Sequence, residues 1–170
     1  NDCLSRKTFN YSGWWLMPAF GGNFLFQPYG SPIATDWVAY TPTFTGFGSV
    51  GGVGFFSRRV GANLEVHGVF SSGTSTATQA KITVGFNETS ANVTIDTAKH
   101  SASTICGIVF TGATGAFPSA VLMPSTNDTT ISMGVSSGGT NPLAAANGSA
   151  VASSGQSVQI FFSVPIVGWA

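Results

Sequence analysis

Few side chains in this chain can perform acid–base chemistry: it has six carboxylates and two histidines. Hydrolysis of a glycosidic bond needs two carboxylates held about 5 to 10 Å apart. Glu65 is expected to pair with an arginine across a hairpin, which removes it from such a pair. The carboxylates left for hydrolysis fall in or near predicted loops: Glu88, Asp96 and Asp128. A glycan depolymerase that uses two of these three is therefore one functional hypothesis, the third in rank.

Neither histidine belongs to a recognisable catalytic motif. His67 is expected on the outer face of a strand, as a surface or interface residue, and His100 in a loop. No serine elbow of the GxSxG type is present, and no Cys and His spacing fits a metal site. The glycine-rich run 51–54 opens a strand instead of a helix, so it is not a phosphate cradle. The sequence therefore predicts no catalytic residues, no metal and no cofactor, and we do not expect an enzyme.

The composition is unusual for a soluble domain because it holds so little charge. Only 7% of the 170 residues are charged, 43% are hydrophobic, and the formal net charge is zero. Ordinary domains have about 25% charged residues, and nucleic-acid binding needs clustered Lys and Arg. The length suits one domain with a small appendage. This balance argues against a nucleic-acid partner, suits an extracellular or virion protein, and leaves apolar area for burial between subunits.

No apolar run is long enough for a membrane-spanning helix, so membrane insertion is not expected. The first residue is Asn1, and no basic segment followed by an apolar one resembles a signal peptide. We therefore expect that the chain is a piece of a longer protein, which leaves export open.

The clearest local pattern is a β-hairpin over residues 55–70. Leu64, Val66 and Phe70 alternate with polar or exposed positions, a period of two that predicts one buried face. A turn at 61–63 is rich in residues that tolerate positive φ. With this turn, one of Arg58 or Arg59 lies opposite Glu65, and a cross-strand ion pair is the expected role of these charges.

Further strands are predicted along the chain at spacings typical of an all-β domain. They cover residues 81–86, 92–95, 105–111, 120–123, 129–135, 150–152 and 158–164. In the last strand Phe161 faces away from Phe162, so both of its faces hold an aromatic residue. The residues 136–155 are small and polar and predict a long loop. About eight short strands without a convincing helix indicate an antiparallel β-sandwich, most simply a jelly-roll-like one.

The two cysteines allow a single disulfide, Cys3 to Cys106. Cys106 lies in an apolar run, where a buried free thiol is the favoured state.

The first 36 residues differ from the remainder and define a separate predicted segment. They are rich in aromatic residues, glycine and proline and lack a clean strand or helix period. We interpret residues 1–36 as a collar or the end of a fibre shaft, and residues 37–170 as the β-sandwich domain. A second reading makes the aromatic segment a ligand platform, because tryptophan rings stack on sugars.

A resemblance to a known family rests on three motifs. They are Trp37-x-x-Tyr40-Thr41-Pro42-Thr43-Phe44-Thr45-Gly46-Phe47-Gly48, then Arg58-Arg59-Val60-Gly61 with Leu64-Glu65-Val66-x-Gly68-x-Phe70, and finally Val164-Pro165-Ile166-x-Gly168-Trp169. These stretches resemble the C-terminal tip domain of phage tail fibres and of related fibre adhesins of predatory bacteria. The resemblance covers residues 37–169 and is most specific at its two ends. It implies a homotrimeric, β-rich fibre tip that binds a bacterial surface, and it implies no catalytic residues.

The functional hypothesis is thus a trimeric adhesin that recognises a glycan or another envelope component of a target bacterium. Its location would be extracellular, at the tip of a phage tail fibre or of a fibre associated with a bacterial cell surface or vesicle. Its partners would be two further copies of itself, the glycan and an upstream fibre shaft. The alternative is a purely structural trimerisation or capping domain. Loop placement and aromatic character predict the ligand contacts: Trp14, Trp15, Asn87, Asn92, Phe117, Asn127 and Asp128.

Overall fold

The structure, a computed structural model, describes residues 14–18, 24–28, 33–101, 104–112, 119–136 and 143–169. The described residues are almost entirely β, with 53% strand and 3% helix, and their main sheet is antiparallel and curled as a half-barrel. The prediction of an all-β antiparallel fold is therefore confirmed. No described helix is long and apolar enough to cross a membrane.

The chain divides into two compact units, Asn1–Ile33 and Ala34–Ala170. In the first unit, strands β1 (Trp14–Pro18) and β2 (Phe24–Pro28) form an antiparallel hairpin. The sequence pattern there predicted no regular strands, so that part of the interpretation is wrong. Proline lies at the end of each strand, where its missing N–H costs no ladder hydrogen bond. The predicted boundary after residue 36 stays a prediction.

The second unit contains the remaining elements. They are β3 (Val38–Tyr40), β4 (Phe44–Thr45), β5 (Gly51–Val60), β6 (Asn63–Ser71), β7 (Lys81–Thr83), β8 (Gly85–Phe86), β9 (Thr89–Ser90), β10 (Ile105–Thr111), β11 (Ser119–Leu122), β12 (Thr130–Ser136), β13 (Leu143–Ala145), α1 (Gly148–Val151) and β14 (Ser157–Pro165). The hairpin is confirmed, although β5 begins four residues before its predicted start, and the strands predicted at 105–111, 120–123, 129–135 and 158–164 are confirmed to within a residue or two.

Other predicted elements differ from the structure. The predicted strand 81–86 is divided into β7 and β8, and β13 forms inside the predicted long loop. Residues 92–95 form no strand apart from a single bridge between Ile95 and Ile166. The Asn92 side chain instead accepts a hydrogen bond from the backbone N–H of Phe86 and donates one to its carbonyl oxygen. These bonds keep this part of the chain folded against the β8–β9 turn. Residues 150–152 form no strand either, because 148–151 make the single helical turn α1.

One ten-stranded sheet organises the second unit. Its strand order is β3-β5-β6-β14-β10-β11-β12-β7-β4, with β13 added beside β12. Strand β14 lies between β6 and β10 and is antiparallel to both. Strands β8 and β9 make a separate small hairpin.

The sheet must curl because its two edge strands are almost consecutive in the chain. In a flat sheet, β3 and β4 would lie roughly 38 Å apart at ~4.8 Å per strand spacing. Only residues 41–43 connect them, and such a segment spans at most about 15 Å. Edge strand β3 also reaches the far side of the curl directly, since the Tyr40 hydroxyl donates to the carbonyl oxygen of Thr83 on β7 at 3.5 Å. The concave side of the curl is therefore enclosed and forms the core.

An aromatic cluster fills the core where the edges meet. Phe70 is fully buried, and its ring centroid lies 4.6 Å from that of Phe44, 5.1 Å from that of Phe47 and 6.2 Å from that of Phe55. Gly68 faces the same side, and a side chain there would collide with the ring of Phe55. These contacts join β4, β5 and β6 through edge-to-face and tilted ring packing.

In β10, the Cys106 side chain is partly buried and its thiol donates a weak hydrogen bond. The half-buried Cys106 is a free cysteine, and its Sγ lies 3.4 Å from the carbonyl oxygen of Val121. Cys3 lies outside the described residues. Burial raises the pKa of the Cys106 thiol from 9.0 to about 12, a shift that a hydrogen bond from the backbone N–H of Cys106 itself partly opposes.

We expect that Cys106 is nearly inert in the folded protein. In a Cys3→Ser variant, which retains one thiol, alkylation by iodoacetamide at pH 8 should be about 10³-fold slower than in the urea-unfolded chain, because only the thiolate reacts. The raised pKa also means that the folded state retains a proton that the unfolded state loses. Stability should hold below pH 9 and fall as the pH rises from 9 toward 12, more than in a Cys106→Ala variant. Equal alkylation rates for folded and unfolded protein would contradict this assignment.

Candidate functional site

An apolar groove runs across the convex side of four neighbouring strands, β5, β6, β14 and β10; we call it the outer groove. One row of paired residues crosses it, from Phe56 to His67 to Phe161 to Ile108. A parallel row completes it, from Gly54 to Val69 to Gln159 to Phe110. Its volume is about 540 Å³.

The outer groove exposes large apolar side chains that a monomer normally buries. Phe110 is 53% exposed and Phe161 47% exposed, and Val69, Ile108 and Phe56 are also exposed. No Asp, Glu, Lys or Arg is among the residues described as lining it. A contiguous uncharged apolar surface of this kind marks an interaction site more often than a free surface.

A rigid cluster closes one end of the outer groove. His67 packs edge-on against Trp37 at 4.4 Å between ring centroids and stacks on Phe56 at 5.3 Å. The Arg58 guanidinium lies 4.5 Å above the Trp37 ring, and its Nε donates to Glu65 Oε2 over 2.8 Å. The predicted Arg–Glu pair is confirmed, and His67 serves as an aromatic packing residue at this end. Arg58 is fixed by a cation–π contact and an ion pair together.

The neighbouring arginine makes the matching contact near the end of the last strand. The Arg59 guanidinium lies 4.8 Å above the ring of Trp169, which also packs edge-on against Phe86. Adjacent arginines on β5 thus hold two tryptophans that stand far apart in the sequence.

A second depression is polar, and we call it the polar pocket. It has a volume of about 300 Å³ and lies against β7 and β12 and the segment after β11. Lys81 and Ser132 are direct partners across two of these strands. The polar pocket is lined by Gln79, Lys81, Leu122, Met123, Pro124, Ser125, Thr126, Asp128, Thr130, Ser132 and Ala145.

Asp128 is held rigidly at this pocket. Its Oδ1 accepts from the Thr129 backbone N–H over 2.6 Å, and its Oδ2 accepts from the Thr130 hydroxyl over 2.7 Å. An ionised carboxylate has about four acceptor positions, so each oxygen retains one for a further donor. Within the described chain, Arg58 pairs with Glu65 and Lys99 with Asp96, while Lys81 takes part in neither ion pair.

The predicted contacts whose side chains the structure describes lie at different places in the second unit. Asn87 is exposed in the tight β8–β9 turn, where it and Glu88 have positive φ, and Asn92 is hydrogen-bonded to Phe86. The exposed Asn127 accepts from the backbone and hydroxyl of Thr97. Among the predicted contacts whose side chains the structure describes, Asp128 alone lines one of the two depressions. Trp14 and Trp15 lie on β1, and their side chains and the whole of Phe117 lie outside the described residues.

The carboxylates proposed for hydrolysis are each engaged locally or placed in turns. Asp96 pairs with Lys99 at 3.5 Å, Asp128 is bound by Thr129 and Thr130, and Glu88 is exposed in its turn. Within the described residues, no group of three or more His, Cys, Asp or Glu side chains is arranged to hold a metal ion.

Sequence reasoning missed most of the outer groove. It placed His67 and Phe161 outward, which the structure confirms, but not Phe56, Ile108 and Phe110. The sequence signal that could have revealed Ile108 and Phe110 was the uninterrupted apolar run of β10. A strand with an apolar residue on both faces is covered on both faces or exposes one of them.

Comparison of this chain with protein-family models, curated proteins and solved structures found no significant match.

Proposed function

We propose that this chain is the tip of a homotrimeric fibre adhesin, which binds a glycan or another envelope component on a target bacterium without chemical turnover. The observation that supports this most is the outer groove, an uncharged aromatic surface on the middle strands of the sheet. The motifs that resemble fibre-tip domains agree with it, because Trp37 and Arg58, from two of these motifs, contact each other at the end of this groove.

The proposed occupant of the outer groove is a second copy of this chain. A surface that packs against the same surface of another copy must avoid like charges. The described lining of this groove has no Asp, Glu, Lys or Arg. In a closed trimer whose outer grooves face the three-fold axis, the groove residues nearest that axis meet the same residues of the neighbouring copies. Exposed Phe110 and Phe161 are suitable anchors, since buried aromatic residues dominate interface energies.

The finer fold description is part of this proposal. We infer that the curled sheet is a jelly-roll-like β-sandwich whose outer groove, on β5, β6, β14 and β10, is covered by neighbouring chains. The short connection between β3 and β4 supports it by bringing the sheet edges together.

Trimerisation gives a weak ligand site useful strength. Three copies on one axis bind a repetitive bacterial surface with an avidity that can exceed the affinity of one site by a factor of about 10² or more. The proposed location is extracellular, at the end of a phage or bacterial fibre, with an upstream shaft as the covalent neighbour. Neither nucleic acid nor a lipid bilayer is a proposed partner.

A purely structural cap is the second candidate, and one observation favours it. The side chains of Asn92 and Asn127, both predicted as ligand contacts, are bound within the chain itself. A cap would form the trimer and bind no bacterium.

Two measurements test the proposal. Light scattering coupled to size exclusion should give a mass three times the 17.4 kDa of one chain. The fluorescently labelled protein should then bind intact cells of some species in a bacterial panel, and surface polysaccharide extracted from those cells should compete. A monomeric mass overturns the trimer, and a trimer that binds no species favours the structural cap.

A further inference from the structure

We propose that the polar pocket, and not the predicted asparagine loops, is the sugar-binding site, and that Asp128 and Lys81 are its principal ligand contacts. This inference rests on the proposed function for its choice of ligand class. It assigns the binding to one defined depression and to one neutral, hydroxyl-rich sugar unit.

The walls of the polar pocket are built from rigid elements. Lys81 lies on β7 directly opposite Ser132 of β12, and Thr130 lies two residues earlier on the same face of β12. The segment after β11 forms most of the remaining lining, and Met123 within it is buried. Its volume of about 300 Å³ is at the small end of ligand pockets, which suits one monosaccharide unit.

The polar groups of the pocket suit a ligand that both donates and accepts hydrogen bonds. The carboxylate of Asp128 is oriented by Thr129 and Thr130 and retains acceptor capacity on both oxygens. Lys81 brings an ammonium with three donors to the same pocket, and no ion pair joins it to the Asp128 carboxylate. A ligand between them can donate a hydroxyl proton to Asp128 and accept from Lys81.

The charge balance selects the class of ligand. One negative and one positive side chain line the same space, so their charges offset each other and favour neither an anion nor a bare cation. The lining is mainly polar and offers no aromatic ring for an apolar ligand. A neutral sugar with adjacent hydroxyl groups meets all of these conditions.

The test measures sugar binding by saturation-transfer NMR on the intact protein. The probes are D-galactose, N-acetyl-D-glucosamine and L-rhamnose, each titrated separately. At least one should bind wild type, and Asp128→Asn and Lys81→Gln should each weaken its affinity about tenfold, the size expected for a lost hydrogen bond to a charged group. The amide of the Asp128→Asn variant still presents an oxygen to the Thr129 N–H, so this variant is expected to fold.

A matched pair of variants controls for charge and folding. Asp96→Asn and Lys99→Gln remove the same charges from an ion pair outside the pocket and should leave the affinity unchanged. The inference is overturned if none of the three sugars binds, or if both pocket variants bind as tightly as wild type. Cell binding separates the two proposals: pocket variants that still adhere to bacteria like wild type refute this site and leave the adhesin standing. A wild type that binds sugar but no cells refutes the adhesin alone.

Discussion

Replacement of Phe161 by aspartate is expected to convert the proposed trimer into a monomer. Phe161 lies in the middle of the outer groove, between His67 and Ile108, and points away from the core. A carboxylate buried at an apolar contact costs several kcal/mol, and a three-fold trimer would contain three such contacts. The mass from light scattering should therefore fall to 17.4 kDa, the mass of one chain.

The fold of this variant should survive, because Phe162 and not Phe161 fills the core. Circular dichroism should show an unchanged β spectrum, and Phe161→Ser provides a milder second variant. The control is Thr89→Asp, which adds the same charge to the exposed β8–β9 hairpin and should stay trimeric. A Phe161→Asp protein that keeps a trimeric mass would show that another surface forms the assembly.

Replacement of Phe70 by alanine should cause a larger loss of stability than truncation of any aliphatic core residue. Phe70 is fully buried, and it touches aromatic rings from β4, from β5 and from the turn that follows β4. A Phe→Ala change in a packed core costs about 3–5 kcal/mol, through lost burial and the cavity that remains. That is a large share of the about 5–15 kcal/mol that stabilises a typical domain. Urea unfolding should show a much lower midpoint with a similar slope.

The comparison for this variant is Phe70→Leu, which keeps most of the buried volume and should lose clearly less stability. All variants should be unfolded at one protein concentration, because the stability of an oligomer depends on concentration. A loss below about 1 kcal/mol for Phe70→Ala would contradict a packed aromatic core, given the usual cost of such cavities.

The parts of the fold that could be predicted are those that local alternation specifies. In β6 and β14 every second residue is buried along most of the strand, so the sequence itself marks the inner face, and the turn at 61–63 fixes the register of Arg58 against Glu65. The failures have specific causes. The chain at 92–95 has strand-like residues, but the Asn92 amide binds the backbone of Phe86 instead. At α1, Gly148 packs so closely on Gly46 that any side chain would collide with that backbone, a long-range contact that no local pattern reveals.

The candidate sites were less predictable because they depend on strand order. Phe56 and Phe110 reach the same groove only because β14 and β6 lie between β5 and β10, and no sequence period encodes that order. The same holds for Lys81 and Asp128, which meet at the polar pocket through the pairing of β7 with β12. Residue chemistry alone does single out Asp128. It does not single out Lys81, because a single lysine at the start of a strand has no sequence pattern that marks it as a ligand contact.

The central place of β14 also determines when this domain can fold during synthesis. Strands β6 and β10 are translated well before β14, yet each needs β14 as its partner. Until β14 has left the ribosome, the sheet consists of two separate halves with unpaired edges, which are prone to pair with other chains. Sheets built from such distant pairings also fold slowly. The sheet is therefore completed only after all of its strands have been made, and until then the edges of β6 and β10 stay open.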